Sequence, residues 1–123
     1  MISDFRSRLR PLEADLCIVG AGAAGIALAR EFIGSPWSVL VLESGGLEPD
    51  SEIQALYDSF TQGLPHEGVH EGRARVFGGT TTLWAGQALP LDSFDFDERE
   101  WVRNSGWPIS KESLQPYYRR AEE

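Results

Sequence analysis

Gly20-Ala21-Gly22-Ala23-Ala24-Gly25 follows the apolar run Leu16-Cys17-Ile18-Val19 and opens an alanine-rich stretch, and Glu43 closes a second apolar run, Ser38-Val39-Leu40-Val41-Leu42. A bare GxGxxG carries little information in a chain with 13 glycines among 123 residues, so its surroundings must carry the reading. Residues 14–19 give a short apolar run bounded by glycine, which fits a strand buried on both faces, as parallel sheets require. Each glycine then has its own duty. Gly20 allows the tight turn, Gly22 lets backbone approach a pyrophosphate, and Gly25 lets the first helix pack close to the sheet. Ala23, Ala24, Ala27 and Ala29 keep that helix slim and favour it. The helical stretch 22–33 stops at Gly34-Ser35-Pro36. A second buried strand over 38–42 delivers Glu43 to its carboxyl end. There an acid can accept hydrogen bonds from a ribose and repel the extra phosphate of NADP. The expected fold class is α/β, a Rossmann-like βαβ unit on a parallel sheet. A glycine-rich turn in a sheet that binds no nucleotide would not require strand, turn, helix, strand and acid in that order.

Only two strands of such a sheet are legible. In the usual order 3-2-1-4-5-6 the first strand is central, and left alone it would present an apolar edge. The closing residues Tyr117-Tyr118-Arg119-Arg120-Ala121-Glu122-Glu123 have a helical pattern without a terminator. The expectation is the amino-terminal piece of a longer protein, with an incomplete parallel sheet. Residues 1–13 are then a tail and 14–123 part of a nucleotide domain, which would need the remainder of its own chain.

Charge narrows the partners. A net charge of −8 disfavours nucleic acid, which needs clustered Lys and Arg. The basic run Arg6, Arg8 and Arg10 reads as a solvated tail. No apolar segment approaches the roughly 20 residues of a membrane span. The first ten residues are mostly polar and contain no signal-peptide core, which favours the cytoplasm. Cys17 is the only cysteine and reads as a small hydrophobe in a buried strand.

Three segments imitate chemistry. His66-Glu67-Gly68-Val69-His70 matches the HExxH zinc pattern, but that pattern needs a helix, and Pro65, Gly68 and the flanking Gly63 and Gly72 argue against one. Both histidines are therefore expected in a loop, with no metal. Ser51-Glu52-Ile53-Gln54 reads as a capping box opening a packing helix, with Ile53, Leu56, Tyr57 and Phe60 as core residues. Asp95, Asp97, Glu98 and Glu100 could pass for an acid–base pair, yet acids early in a helix more commonly offset its positive end. Trp107-Pro108 and Ser110 look like a turn into a helix.

Arg75-Val76-Phe77-Gly78-Gly79-Thr80-Thr81-Thr82-Leu83-Trp84-Ala85-Gly86 is the second informative stretch. Paired glycines followed by hydroxyl residues can present N–H and O–H donors to phosphate oxygens, with Arg75 adding fixed charge. Taken alone, the segment reads better as a Thr-rich strand after a glycine turn.

Together with Asp15 to Gly25, Val41-Leu42-Glu43-Ser44-Gly45 and Ser105-Gly106-Trp107-Pro108-Ile109-Ser110 followed by Pro116-Tyr117-Tyr118, it resembles the amino-terminal region of the glucose-methanol-choline oxidoreductases. The four motifs occur in that family's order and span residues 14–123. Gly-Gly-Thr-Thr-Thr-Leu-Trp looks closest to the branch containing pyranose oxidase and the bacterial sugar and sugar-acid dehydrogenases. The resemblance implies an FAD enzyme that oxidises a CH–OH group of an alcohol, sugar or sugar acid by hydride transfer to the flavin. It also implies a small-molecule substrate and an electron acceptor, which could be a partner subunit. By that resemblance Gly20, Gly22, Ala23, Ala24 and Gly25 would hold the pyrophosphate, Glu43 the adenosine ribose, and Ser44 would lie beside the adenosine half. Arg75, Gly78, Gly79, Thr80 and Thr81 would line the pyrophosphate and ribityl side, and Trp84, Ala85 and Gly86 would approach the isoalloxazine. Pyranose oxidase carries a flavin-linked histidine just before the tryptophan, whereas this chain has Leu83, so FAD is expected to be non-covalent. The family's catalytic histidine and its partner lie near the carboxyl terminus, and neither His66 nor His70 matches them. No catalytic residue is assigned. An NAD-dependent dehydrogenase and a non-catalytic nucleotide-binding fragment are the alternative readings.

Overall fold

Asp15 and Ser38 set the register of the sheet. The Asp15 carboxylate accepts from the Ser38 amide at 2.8 Å and hydroxyl at 2.6 Å, while the Ser38 hydroxyl oxygen accepts from the Asp15 amide at 3.0 Å. The Ser38 hydroxyl, with the Ser38 amide, holds the Asp15 carboxyl below its ordinary value. From this clamp β1 (Leu16–Val19) and β2 (Val39–Leu42) run parallel, Leu16 opposite Val39 and Val19 opposite Leu42. The pairing continues one step further, where the Gly20 amide donates to the Leu42 carbonyl at 2.7 Å.

These coordinates are a computed structural model that describes residues 1–4, 11–68 and 70–122. The basic run at Arg6, Arg8 and Arg10 lies outside the described residues, as do Val69 of the HExxH match and the final Glu123. The chain forms two compact units, Met1–Gly86 and Gln87–Glu123.

In the first unit, α1 (Ala23–Arg30) follows β1 directly. It is shorter than the expected 22–33, because Glu31, Phe32 and Ile33 donate to carbonyls three residues back and the chain then turns at Gly34 with φ +79°. Ile18 faces α1 and is buried. Cys17 and Val19 alternate to the other face, where Cys17 is exposed and Val19 is 84% exposed. The expectation of strands buried on both faces, with a buried Cys17, is therefore corrected. A two-stranded sheet carrying one helix has one covered face.

The expected packing helix after residue 50 is also corrected. Asp50, not Ser51, is the cap: its carboxylate accepts from the Glu52 and Ile53 amides at 2.9 and 3.0 Å. Helix α2 (Ser51–Gln54) lasts four residues, tightens into a 3₁₀ turn at Ala55–Tyr57 and ends where Asp58 becomes extended. Leu56 and Phe60 (91% exposed) face solvent rather than a core. What α2 does hold is a later segment, since Gln54 donates to the Arg73 carbonyl at 2.8 Å and accepts from the Arg75 amide at 3.0 Å. Residues 66–68 are loop, with Gly68 at φ +96° and its amide donating to His66 Nδ1 at 2.9 Å, which removes the helical spacing that HExxH requires.

The second unit is built on two helices, α3 (Ser93–Phe96) and α4 (Lys111–Glu122). Asp95 serves α3, accepting from the Asp92 amide at 2.8 Å. Phe96 is buried and its carbonyl accepts from the Trp107 amide at 3.1 Å, which brings the Trp-Pro turn beneath α3. The Ser110 hydroxyl sits at the start of α4, and Tyr118 accepts from the Leu91 amide at 3.2 Å. Among the described residues, no helix is long and apolar enough to cross a membrane.

Candidate functional site

Ala21 is the centre of the site, 1% exposed between two glycines. Gly20 turns the chain with φ +98°, a conformation that L side chains resist. The turn aims the Ala21 amide at Glu43, whose Oε2 accepts it at 2.7 Å. On its other side the Ala21 carbonyl accepts from the Gly78 amide at 2.8 Å, and Gly22 and Gly78 form an isolated parallel bridge. The first glycine loop is thus docked, backbone to backbone, on the second.

The second loop is shaped for that contact. Val76 is 4% exposed, the Phe77 amide donates to the Gly46 carbonyl at 2.8 Å, and Gly78 and Gly79 take φ values of +95° and +63°. A Cβ on Gly79 would lie 3.1 Å from Gly22 Cα, and a Cβ on Gly45 would lie 2.2 Å from the Arg75 carbonyl oxygen. Gly25 works from the helix side, since a Cβ there would come within 2.0 Å of the Gly20 oxygen. Its absence lets α1 sit directly behind the loop. The segment is not the Thr-rich strand that it suggests when taken alone, but a 3₁₀ turn at Gly79–Thr82. Thr81 donates to the Gly78 carbonyl and Thr82 to the Gly79 carbonyl at 2.9 Å, local bonds that compete with strand pairing.

Glu43 is the most heavily bonded side chain here. Besides Ala21 it accepts from the Gly45 amide at 2.9 Å and the Ser44 hydroxyl at 3.1 Å, both on Oε1. Partial burial pushes its carboxyl up, but the amides of Gly45 and Ala21, with Ser44, outweigh burial and hold it below its ordinary value. Arg75 approaches from the second loop. Its Nη1 donates to Ser44 Oγ at 3.0 Å, and its guanidinium lies over the Tyr57 ring, 4.2 Å from the centroid. Its Nε is buried and has no partner among the described residues.

These residues enclose an open cleft of about 420 Å³. Of the residues singled out in the sequence, Gly20, Gly22, Glu43, Ser44, Arg75, Gly79 and Thr80 line it. Ala23, Ala24 and Gly25 form the start of α1 behind it, Gly78 makes the bridge, and Thr81 is turned to its own backbone. Trp84, Ala85 and Gly86 are exposed and do not line the cleft. Val19, Leu42, Tyr57 and Ala74 also line it and were not among the expected site residues; Tyr57, expected in a core, is corrected to the cleft wall. Tyr57 had one readable signal, its position three residues after Gln54 on a short helical segment, the spacing that places both on one side.

No family model and no solved structure matches the chain. Among known proteins it is similar to 6'''-hydroxyparomomycin C oxidase of Streptomyces lividus, 30% identical over 116 residues that cover 85% of this chain and 21% of that protein. It is similar to oxygen-dependent choline dehydrogenase of Photobacterium profundum, 32% identical over 125 residues, 88% of this chain and 22% of that protein. Glucose dehydrogenase [FAD, quinone] of Drosophila melanogaster is 26% identical over 140 residues, 98% of this chain and 22% of that protein. The chain therefore spans about a fifth of the length of these relatives.

Proposed function

Because the chain belongs to the glucose-methanol-choline oxidoreductases, as the counterpart of their amino-terminal region, we propose that it is the FAD-holding part of an enzyme that oxidises a CH–OH group. The observation that carries this reading is the docking of Gly78-Gly79 on Gly20-Ala21-Gly22 around one cleft, with Glu43 at its edge. A single glycine turn with an acid would serve NAD equally; the second glycine loop, bonded to the first, adds backbone beside the cleft for the longer ribityl and flavin half of FAD.

The cleft suits the cofactor on two counts. A Cβ built on Gly22 would meet nothing within 4 Å, so the space next to this backbone is open to a phosphate. Gly22 also caps α1 with no side-chain bond, and the first amides of a helix, which lack partners within it, can donate to an anion. In this reading Gly20, Gly22, Ala23, Ala24 and Gly25 hold the pyrophosphate, Glu43 takes the ribose and Ser44 flanks the adenosine half. Gly78, Gly79, Thr80 and Thr81 follow the pyrophosphate and ribityl chain, and Trp84, Ala85 and Gly86 lie toward the flavin ring. Leu83 offers no nucleophile for attachment, so binding is non-covalent. FAD supplies the hydride acceptor, while these residues hold and orient it. Alcohols, sugars and sugar acids are the substrate classes, and an electron-acceptor subunit is a candidate partner.

Flavin fluorescence titration of the purified protein tests this. Saturable quenching by FAD, with no binding of NAD, is the expected result. Binding of NAD without FAD would move the reading to a nicotinamide enzyme.

A further inference from the structure

Resting on that FAD reading, we propose that Arg75 is a positioning residue for the ribose, acting through Ser44 on Glu43, and not a phosphate ligand. The chain of contacts has a direction. Arg75 has donors only, so the bond from its Nη1 to Ser44 Oγ forces the Ser44 hydroxyl proton the other way, onto Glu43 Oε1. That oxygen also receives the Gly45 amide, which fills both of its lone pairs. Among the described residues Oε2 receives the Ala21 amide, and the Ser44 amide adds a further favourable contact to the carboxylate. Glu43 thus presents a carboxylate whose two oxygens are made unequal by their partners, Oε1 being the more heavily bonded.

Arg75 is itself held. Its guanidinium lies on the Tyr57 ring at 4.2 Å and its amide is bonded to Gln54 at 3.0 Å, so the charge stays beside Ser44 instead of sweeping the cleft. Without that charge the Ser44 hydroxyl can rotate away, Oε1 regains a lone pair, and the carboxylate can turn either oxygen toward a ligand. The ribose would then meet a mobile acceptor.

The two roles for Arg75 separate on the ligand. A phosphate contact is indifferent to the sugar; a relay through Glu43 acts only where the sugar has hydroxyls. Isothermal titration of the whole chain with adenosine 5′-diphosphate and with its 2′,3′-dideoxy analogue reads the difference. Arg75→Met and Ser44→Ala are each expected to weaken binding of adenosine diphosphate about tenfold, one hydrogen bond to a charged group. The double variant should lose no more than either single one. All three should bind the dideoxy analogue within about twofold of the parent. Equal losses on both nucleotides would overturn the relay, as would additive losses in the double variant or a parent that does not distinguish the two ligands. If the singles match the parent on adenosine diphosphate, the relay falls while the nucleotide site stands. A folded parent that binds neither nucleotide removes the FAD reading and the relay with it. Thermal melts of each variant confirm that folded protein is compared, and Ser44→Ala, an exposed one-atom deletion, keeps the test available if Arg75→Met fails to fold.

Discussion

Replacing Glu43 by Gln keeps the size of the side chain and removes one acceptor. In the parent, Oε2 accepts from Ala21 at 2.7 Å and Oε1 from Gly45 at 2.9 Å and Ser44 at 3.1 Å. A glutamine has one oxygen, and its least costly orientation keeps that oxygen on Gly45 and Ser44. Its NH₂ group then faces the Ala21 amide, donor against donor. The lost bond to a charged acceptor contributes about 1.5–3 kcal/mol, and the two that remain fall to roughly half strength when the charge goes. The low end of that range gives about 3 kcal/mol in all, and because water reaches part of this side chain, screening brings the net loss to about 2–3 kcal/mol. The pH dependence follows from the lowered carboxyl. A group whose pKa falls on folding stabilises fully above its unfolded value, 4.5 here, and loses that contribution as pH drops through the lower folded value. Urea unfolding at neutral and acid pH checks both parts. Glu43→Gln should unfold at lower urea at neutral pH, and the gap should close on acidification. An unchanged midpoint, or a gap that survives acid, would refute the account of Glu43 as the bonded strut between the first glycine loop and the segment that follows β2.

Gly25→Ala places a methyl 2.0 Å from the Gly20 oxygen, so α1 must move, and overpacking of this kind costs about 1–3 kcal/mol; an unaltered urea midpoint would remove the close-packing role. Gly22→Val places its Cβ in open space and has a permissive φ of −81°, so it should cost about 1 kcal/mol in stability as a poorer cap. It should nevertheless abolish FAD quenching, and retained quenching would show that the phosphates lie elsewhere. Asp15→Asn should lower the melting temperature at neutral pH and lose that difference as pH falls below the ordinary 3.8, because the Ser38 bonds favour the ionised carboxylate; a pH-independent difference would argue against the clamp.

The βαβ unit was legible because its signals are local. Glycine punctuation, an apolar run on each side and an acid at a strand end need no knowledge of distant contacts. Where the sequence misled, two locally valid options competed. Asp50 and Ser51 are both good caps one residue apart, and Asp50 holds the position because its carboxylate reaches two amides. Thr80, Thr81 and Thr82 have high strand propensity, yet hydroxyl bonds to Gly78 and Gly79 favour a tight turn. Leu56 and Phe60 have helical spacing, but among the described residues no apolar surface covers them. The site was legible as two lists of residues and not as one object. Nothing near Ser44 in sequence indicates that Arg75 will donate to it, or that Tyr57 will lie beneath Arg75.

The bridge between Gly22 and Gly78 also bears on the order of folding. β1, α1 and β2 are neighbours along the chain and can assemble at small entropic cost, whereas the Gly78 amide reaches the Ala21 carbonyl only after the whole segment from β2 through α2 has been brought round. Closing the cleft is therefore the non-local step, the one expected to reopen first under native conditions. In hydrogen-exchange terms the Gly78 amide should exchange faster than the Gly20 amide inside the β1–β2 ladder, and a dinucleotide that spans both loops would slow it selectively. The cofactor would act as the last fastener of the structure that holds it.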